Sequence, residues 1–404
     1  MTNASGVRQV TPAELKALLD SGESLFLLDV RNADEFKTWR VESRKPIPFL
    51  HKPYFEVLEE GDGDDVPAIF ADYAHKYWEG VLPRDTFILV VCAKGGTSAL
   101  AAEGLIQAGY NAGNLVGGMV AWGNFYDIKP VAEGDSLSVW QVARTARGCL
   151  SYVLASGNQA VIVDPLRHTD RYLEFAAQKG LTITAVLDTH GHADHISGGP
   201  ALAKQLGIPY YVHPYDAIHP LDVMPATIDY EPLRAEQVIG FGDSSIRVIH
   251  IPGHTLGNIA YLVDGKYLLS GDSIFIESIA RPDLGGHGEQ WSPIHFRSLS
   301  KLLTLDDDVV VLPGHFSSPA EAGENGLYAQ SLGALKHANE GLRKLQEGEE
   351  PFVSFLLQSL PTFPPQYVDI KRVNAGLLVP GEEKADELEL GRNICALSQA
   401  YKEE

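Results

Sequence analysis

Two short apolar runs open the chain, Leu25-Phe26-Leu27-Leu28-Asp29-Val30 and Phe87-Ile88-Leu89-Val90-Val91, each ending where polar or small residues begin. Continuous apolar runs of this length predict parallel-sheet strands buried on both faces. Cys92 follows the second run directly. The segment Ser98-Ala99-Leu100-Ala101-Ala102-Glu103-Gly104-Leu105-Ile106, closed by Gly109, then predicts a helix. The stretch from Pro46 to roughly Tyr77 is longer and more acidic than a simple connection, and predicts an insertion with helices of its own. Around Ile128 to Asp135 the pattern breaks, at Lys129-Pro130 and Glu133-Gly134-Asp135, which predicts a domain boundary. Strands are expected next near Leu137–Val142, Leu150–Ala155 and Ala160–Asp164, then a helix from about Thr169 to Lys179. Ala185-Val186-Leu187-Asp188 predicts a strand that delivers the chain into Thr189-His190-Gly191-His192-Ala193-Asp194-His195. Hairpin-like strand pairs with helices between them predict an αββα sandwich. From about Gly341 the sequence turns mixed and Pro-rich (Leu360-Pro361-Thr362-Phe363-Pro364-Pro365), the expected mark of a wrapping C-terminal extension. The reading is α/β followed by α+β, divided as 1–130, 131–340 and 341–404.

At 404 residues the chain is too long for one ordinary domain. The formal charge of −21 changes the picture most, because so acidic a surface repels phosphate backbones and anionic headgroups. Nucleic acid and membrane partners are therefore not expected. Three cysteines, Cys92, Cys149 and Cys395, are too few and too dispersed for a disulfide framework and suit a reducing cytosol. Met-Thr-Asn-Ala-Ser-Gly has neither a basic region nor an apolar core, so no secretory leader is read there, and no apolar run could cross a bilayer. A soluble, cytoplasmic homo-oligomer is expected. Cys149 and Cys395 read as core residues.

Thr-His-Gly-His-Ala-Asp-His places four potential metal ligands, His190, His192, Asp194 and His195, directly after a buried strand. A strand end fixes the backbone, and a short Gly-containing loop lets several side chains converge. Three more candidates follow later strand-like runs: His254 after Pro252-Gly253, Asp272 after Gly271, and His315 after Pro313-Gly314. A lone His or Asp at a strand end is ordinary surface. Seven of them after β-like runs, four clustered, point instead to imidazole and carboxylate donors for Zn or Fe.

This pattern resembles the metallo-β-lactamase superfamily, whose His-x-His-x-Asp-His signature occurs here as His190 to His195, over a match from about Ser136 to past His315. The resemblance implies His190, His192 and His254 at a first metal position, Asp194, His195 and His315 at a second, and Asp272 between them. The superfamily contains hydrolases with metal pairs and also persulfide dioxygenases. In the latter, one iron is held by two His and one Asp, here His190, His254 and Asp272, leaving room for a thiol-derived substrate beside O₂. A hydrolase instead needs a hydroxide made by lowering the pKa of bound water. The ligands alone leave both open. Ala280-Arg281-Pro282-Asp283 resembles the Gly/Ala-Arg-x-Asp segment of persulfide dioxygenases, which would make Arg281 a bidentate anchor for substrate; the plainer reading is an ion pair with Asp283.

Upstream, Cys92-Ala93-Lys94-Gly95-Gly96-Thr97-Ser98 resembles the rhodanese active loop, in which backbone N–H groups at a helix N-terminus stabilise a Cys thiolate and then its persulfide. Asp29-Val30-Arg31 with Glu35-Phe36, and Leu115-Val116-Gly117-Gly118-Met119-Val120-Ala121-Trp122, resemble that family's flanking segments, over about Arg8 to Tyr126. Thr97 stands where the family loop carries Arg, and Trp39-Arg40-Val41-Glu42 replaces its usual Gly-His-Ile turn. The two resemblances together imply oxidation of a small thiol persulfide to sulfite with O₂. One Fe(II) per chain would do this, with sulfur carried on Cys92, lined by Lys94, Gly95, Gly96, Thr97 and Ser98, and with Asp194 and Arg281 as catalytic residues of the oxidising site, Arg281 also binding the substrate. The alternatives are a thioester hydrolase resembling hydroxyacylglutathione hydrolase with one or two Zn per chain, and a non-catalytic sulfur carrier whose metal is structural.

Overall fold

The computed structural model describes residues 6–360 and 362–397. Residues 1–5, where the absence of a leader was read, and Pro361 of the Pro-rich tract lie outside the described residues. The chain folds into two compact units: Met1–Asp127 with Arg144–Arg147 and Leu390–Arg392, and Ile128–Ala143 with Gly148–Glu389 and Asn393–Glu404.

The first unit holds β1 (Arg8–Val10), β2 (Leu25–Asp29), β3 (Phe49–His51), β4 (Phe87–Val91) and β5 (Ala112–Leu115), in the sheet order β1-β5-β4-β2-β3. All four pairings are parallel. The central strand β4 is buried at every residue, which is why its sequence is unbroken apolar. The helix Gly96–Gln107 carries the chain from β4 to β5. The acidic insertion supplies β3 and the helices Tyr54–Leu58 and Val66–Tyr77, whose Val57, Ile69 and Phe70 join a core with Ile88, Val90 and Leu105.

In the second unit, β6 (Asp127–Ala132), β7 (Ser138–Arg144), β8 (Cys149–Ser156), β9 (Gln159–Val163), β10 (Thr182–Leu187), β11 (Tyr210–Val212) and β14 (Glu231–Pro232) form one sheet, ordered β14-β11-β10-β9-β8-β7-β6. The short strands β12 (Ile218–His219) and β13 (Met224–Pro225) pair only with each other. A second sheet runs β15 (Val238–Phe241), β16 (Ser244–His250), β17 (Ile259–Val263), β18 (Tyr267–Gly271), β19 (Val310–Pro313), β20 (Gln330–Ser331) in that order. The inner faces share one core, with Val161, Val163 and Leu187 from one sheet and Val248, Tyr261, Leu269 and Leu312 from the other. Outside the second sheet, Leu262, Leu268 and Val311 pack with Leu299 and Leu302 of the helix Gly288–Leu302 and with Leu335, Leu342 and Phe352 of later helices. The helices Asp170–Lys179 and Gly199–Leu206 contact β10 of the first sheet, which completes the αββα order of layers.

The break at 128–135 turns out to contain β6. It is an edge strand, and there the missing N–H of Pro130 need not cost a ladder hydrogen bond. No described helix is long and apolar enough to cross a membrane.

Candidate metal centre

The seven ligand-like residues all follow strand ends of the second unit, and all are buried. The strand cores make those ends rigid, so the loops beyond them can hold side chains at fixed separations. Two glycines let the loops approach one another. Gly271 has φ +49°, and a Cβ there would stand 2.5 Å from Thr189 Oγ1; a Cβ on Gly314 would stand 2.6 Å from Asp272 Oδ1.

His190, His254 and Asp272 converge, one donor atom from each lying within 4.8 Å of the others. Asp272 Oδ2 is 3.5 Å from His254 Nε2 and 3.8 Å from His190 Nε2. These three buried atoms have no hydrogen-bond partner. Leaving three such atoms orphaned would cost several kcal/mol, of the order of 1–3 each. A cation among them satisfies all three, so the residues fit a metal ion.

Hydrogen bonds behind the ligands fix their tautomers. His254 Nδ1 donates to the carbonyl oxygen of Arg281 at 2.7 Å, leaving the Nε2 lone pair facing Asp272. Thr189 Oγ1 gives its proton to Asp164 (2.9 Å) and accepts from His190 Nδ1 (2.9 Å), which presents His190 Nε2 in the same way. Burial pushes the pKa of both imidazoles below the ordinary histidine value, that of His190 well below, with His192 and His254 adding to the effect. Neutral imidazole is the ligand form.

The other four candidates fall elsewhere. His315 Nε2 lies 2.8 Å from Asp194 Oδ2 and its Nδ1 2.5 Å from Asp272 Oδ1. Burial opposes charge on this ring, yet the two carboxylates hold its pKa well above the usual range in the metal-free protein. His195 Nδ1 is 3.2 Å from Asp194 Oδ1. The His192 ring is tilted against both His190 and His195, with ring centroids 4.2 Å away in each case, but its Nε2 lies 3.2 Å from Asp164 Oδ1 and 3.9 Å from Asp188 Oδ1. The structure thus groups His192 with two carboxylates rather than with His190 and His254.

Arg281 is fully buried, and its guanidinium makes the plainer contact of the two weighed above. Nε and Nη2 bind the carboxylate of Asp283 at 2.7 and 2.8 Å. Cys149 and Cys395 are buried as expected, Cys395 within an apolar cluster. Cys149 clusters with Asp194, His195 and His315, and Cys395 with Asp272 and His315. Asp164 and Asp188 were also missed. Their signal was available, since Val163-Asp164 and Leu187-Asp188 repeat the strand-then-acid pattern of Gly271-Asp272.

A cavity of about 470 Å³ borders the signature loop, lined by Gly191, His192 and Asp188 and by Tyr210, Trp291 and Lys371. Lys371 Nζ donates to the Gly191 carbonyl at 2.9 Å, and burial pushes its pKa below the ordinary lysine value.

In the first unit, the Cys92 Sγ accepts from Gly95 N at 3.1 Å, and Ser98 Oγ stands the same distance from it. Ser98 Oγ also lies 2.6 Å from Asn114 Oδ1, and Asn114 Nδ2 donates to Gln9, so the amide's orientation is set. Gly95 and Ser98 are buried, Thr97 is half-buried, and Lys94 and Gly96 are exposed. Asp29 and Arg31 form a buried pair at 2.6 Å.

The chain belongs to the metallo-β-lactamase superfamily and carries a rhodanese-like domain ahead of that fold. The superfamily model matches residues 144–315 and the rhodanese-like domain model residues 11–125. Among relatives, an uncharacterized protein of Mycobacterium leprae (strain TN) is 36% identical over 200 residues, 44% of this chain and 90% of that protein. A hydroxyacylglutathione hydrolase of Anaeromyxobacter dehalogenans (strain 2CP-C) is 33% identical over 168 residues, 41% of this chain and 60% of the relative. The crystal structure of a metallo-β-lactamase from Staphylococcus aureus subsp. aureus COL is similar with a TM-score of 0.52 at 28% identity, covering 60% of this chain and 73% of that one.

Proposed function

We propose that the protein oxidises a low-molecular-weight thiol persulfide to sulfite with O₂, and that its rhodanese-like domain moves sulfane sulfur through Cys92. The overall change balances as RSSH + O₂ + H₂O → RSH + H₂SO₃. The observation that carries the reading is the convergence of two neutral imidazoles and one carboxylate on a single point, with their three facing atoms otherwise unpartnered. His190, His254 and Asp272 would hold one Fe(II), which would supply redox chemistry with O₂ and exchangeable positions for ligands.

The remaining parts are the work of the chain. Thr189, Asp164 and the Arg281 carbonyl keep both imidazoles oriented, and burial keeps them neutral. Arg281 acts as a positioning residue, its guanidinium pinned by Asp283. The cavity beside Gly191 admits the organic part of a thiol persulfide. At the other domain, the Cys92 thiolate attacks the outer sulfur of a donor persulfide and the donor leaves as thiolate. The Gly95 N–H steadies the sulfur that remains. Tethering both activities on one chain raises the effective concentration of one for the other.

A hydrolase reading draws on a separate observation. Asp194, His195 and His315 form a further donor cluster, as a metal pair would need, and one relative is named a hydroxyacylglutathione hydrolase. Anaerobically purified, iron-loaded protein given glutathione persulfide in an oxygen electrode separates the two. O₂ consumed with sulfite formed one for one supports the dioxygenase. No uptake, with cleavage of a glutathione thioester that is indifferent to O₂, overturns it in favour of the hydrolase; persulfide on Cys92 with neither turnover leaves only a sulfur carrier.

A further inference from the structure

Two lining residues of the large cavity, Gly191 and Thr255, directly follow His190 and His254 in the chain, so a molecule filling it lies next to that ligand set. Tyr210, Val212 and Trp291 line the cavity as buried side chains, and Tyr215, Ile218 and Leu256 line it while remaining exposed. An apolar lining that continues into exposed apolar side chains at its border suits an apolar ligand.

The charged groups of the wall point the same way. Asp216 accepts from Gly191 N at 2.8 Å, Thr255 Oγ1 at 2.6 Å and Gly257 N at 3.0 Å, and Asp188 accepts from the Ser197 and Tyr210 hydroxyls, each at 2.7 Å. Lys371 is the one lysine or arginine among the described lining residues, and it is buried with its Nζ turned to the Gly191 carbonyl at 2.9 Å. Arg372, next along the same helix, is bound by Asp222 at 2.7 Å and Asp369 at 2.8 Å. His192 already faces Asp164 at 3.2 Å. A carboxylate carried in by a ligand would therefore lose water beside two wall carboxylates and find its one ammonium engaged, which is costly.

We infer that this cavity selects a thiol whose organic body is apolar and bears no carboxylate, and that it discriminates against acidic peptide thiols such as glutathione. The inference rests on the persulfide reading for the role of the site and names the class of thiol that the site takes. Glutathione persulfide remains a usable reagent at high concentration, at a loss of about tenfold in affinity.

S-methylglutathione and its diethyl ester share one body and differ in two carboxylate charges, and neither carries a transferable sulfur. Isothermal titration calorimetry of the full-length, iron-loaded protein under argon compares them, with benzyl methyl sulfide as an uncharged apolar probe. The ester is expected to bind at least about tenfold more tightly than the acid, and benzyl methyl sulfide to bind despite its small size. Ile218→Lys, at an exposed position of β12, adds a cation at the border of the cavity and should narrow the ester-to-acid ratio by about threefold or more. The inference is overturned if the acid binds as tightly as the ester, if benzyl methyl sulfide does not bind, or if Ile218→Lys leaves the ratio unchanged. O₂ uptake is a separate measurement: turnover of any persulfide upholds the reaction, and a cavity indifferent to carboxylates defeats only the preference.

Discussion

Replacing Gly314 by alanine tests whether Asp272 is held in place by the close passage of the loop beyond β19. Gly314 does not need a left-handed backbone, so only the added methyl group acts. That Cβ would sit 2.6 Å from Asp272 Oδ1, and also 3.1 and 3.2 Å from the carbonyl carbon and oxygen of Gly271. The backbone cannot easily yield, because Gly314 N donates to Gly271 O at 2.9 Å. The carboxylate must therefore move, by at least about 0.4 Å to regain a 3.0 Å contact. It is restrained in turn by His315 Nδ1 at 2.5 Å. A shift of that size approaches the roughly 0.5 Å tolerance of a working constellation. The expected result for Gly314→Ala is a tenfold or greater loss of iron affinity, about 1.4 kcal/mol, with a fold destabilised by about 1–3 kcal/mol from overpacking. Anaerobic Fe(II) titration against a chromogenic chelator reads the first, and urea unfolding of the apoprotein the second. Iron affinity within twofold of wild type would refute the idea that Asp272 is a ligand whose position this loop sets.

Other outcomes follow from the same geometry. His254→Ala and Asp272→Ala should each weaken iron binding by about 100-fold or more and abolish persulfide oxidation; full activity in either would remove that residue from the ligand set. Cys92→Ser should end sulfur transfer measured by cyanolysis while leaving oxidation of a supplied small persulfide intact, and loss of both would instead indicate an obligatory relay. Arg281→Ala strands the partly buried carboxylate of Asp283 and should lower stability by about 3 kcal/mol in urea unfolding, whereas an effect on KM alone would return Arg281 to the substrate. Burial pushes the pKa of Glu321 up to about 7, although Ser317 N and Ser318 N donate to its carboxylate. Between pH 4.5 and 7 the folded protein then holds a proton that the unfolded chain has lost, so stability falls with rising pH across that window and levels off above it. Glu321→Gln, compared with wild type by urea unfolding at pH 5 and 8, should remove roughly 3 kcal/mol of that decline, and parallel profiles would contradict it.

Legibility in the sequence followed burial. β4 was readable to the residue because a strand covered on both faces needs apolar side chains throughout. The candidate ligands were readable because each follows a strand end and carries a donor group. β6 was not, since an edge strand tolerates Lys129-Pro130 and so looks like a break. Cys149 escaped for a different reason: its strand is wholly buried, so nothing in the local pattern separates a thiol that packs from one facing Asp194. The pairing of His192 with Asp164 and Asp188 depends on loop geometry across separate strand ends, which spacing along the chain does not encode.

The hydrogen bond from His254 to the carbonyl of Arg281 makes the two imidazoles unequal in their freedom to change. His190 is steered by a threonine hydroxyl, so a single codon change at Thr189 could alter how strongly that ring donates its lone pair. The partner of His254 belongs to the main chain, and no substitution at 281 deletes it while the loop keeps its course. Variation among descendants of this sequence is therefore expected to tune reactivity through the His190 branch, while the His254 branch stays constant for as long as the fold does.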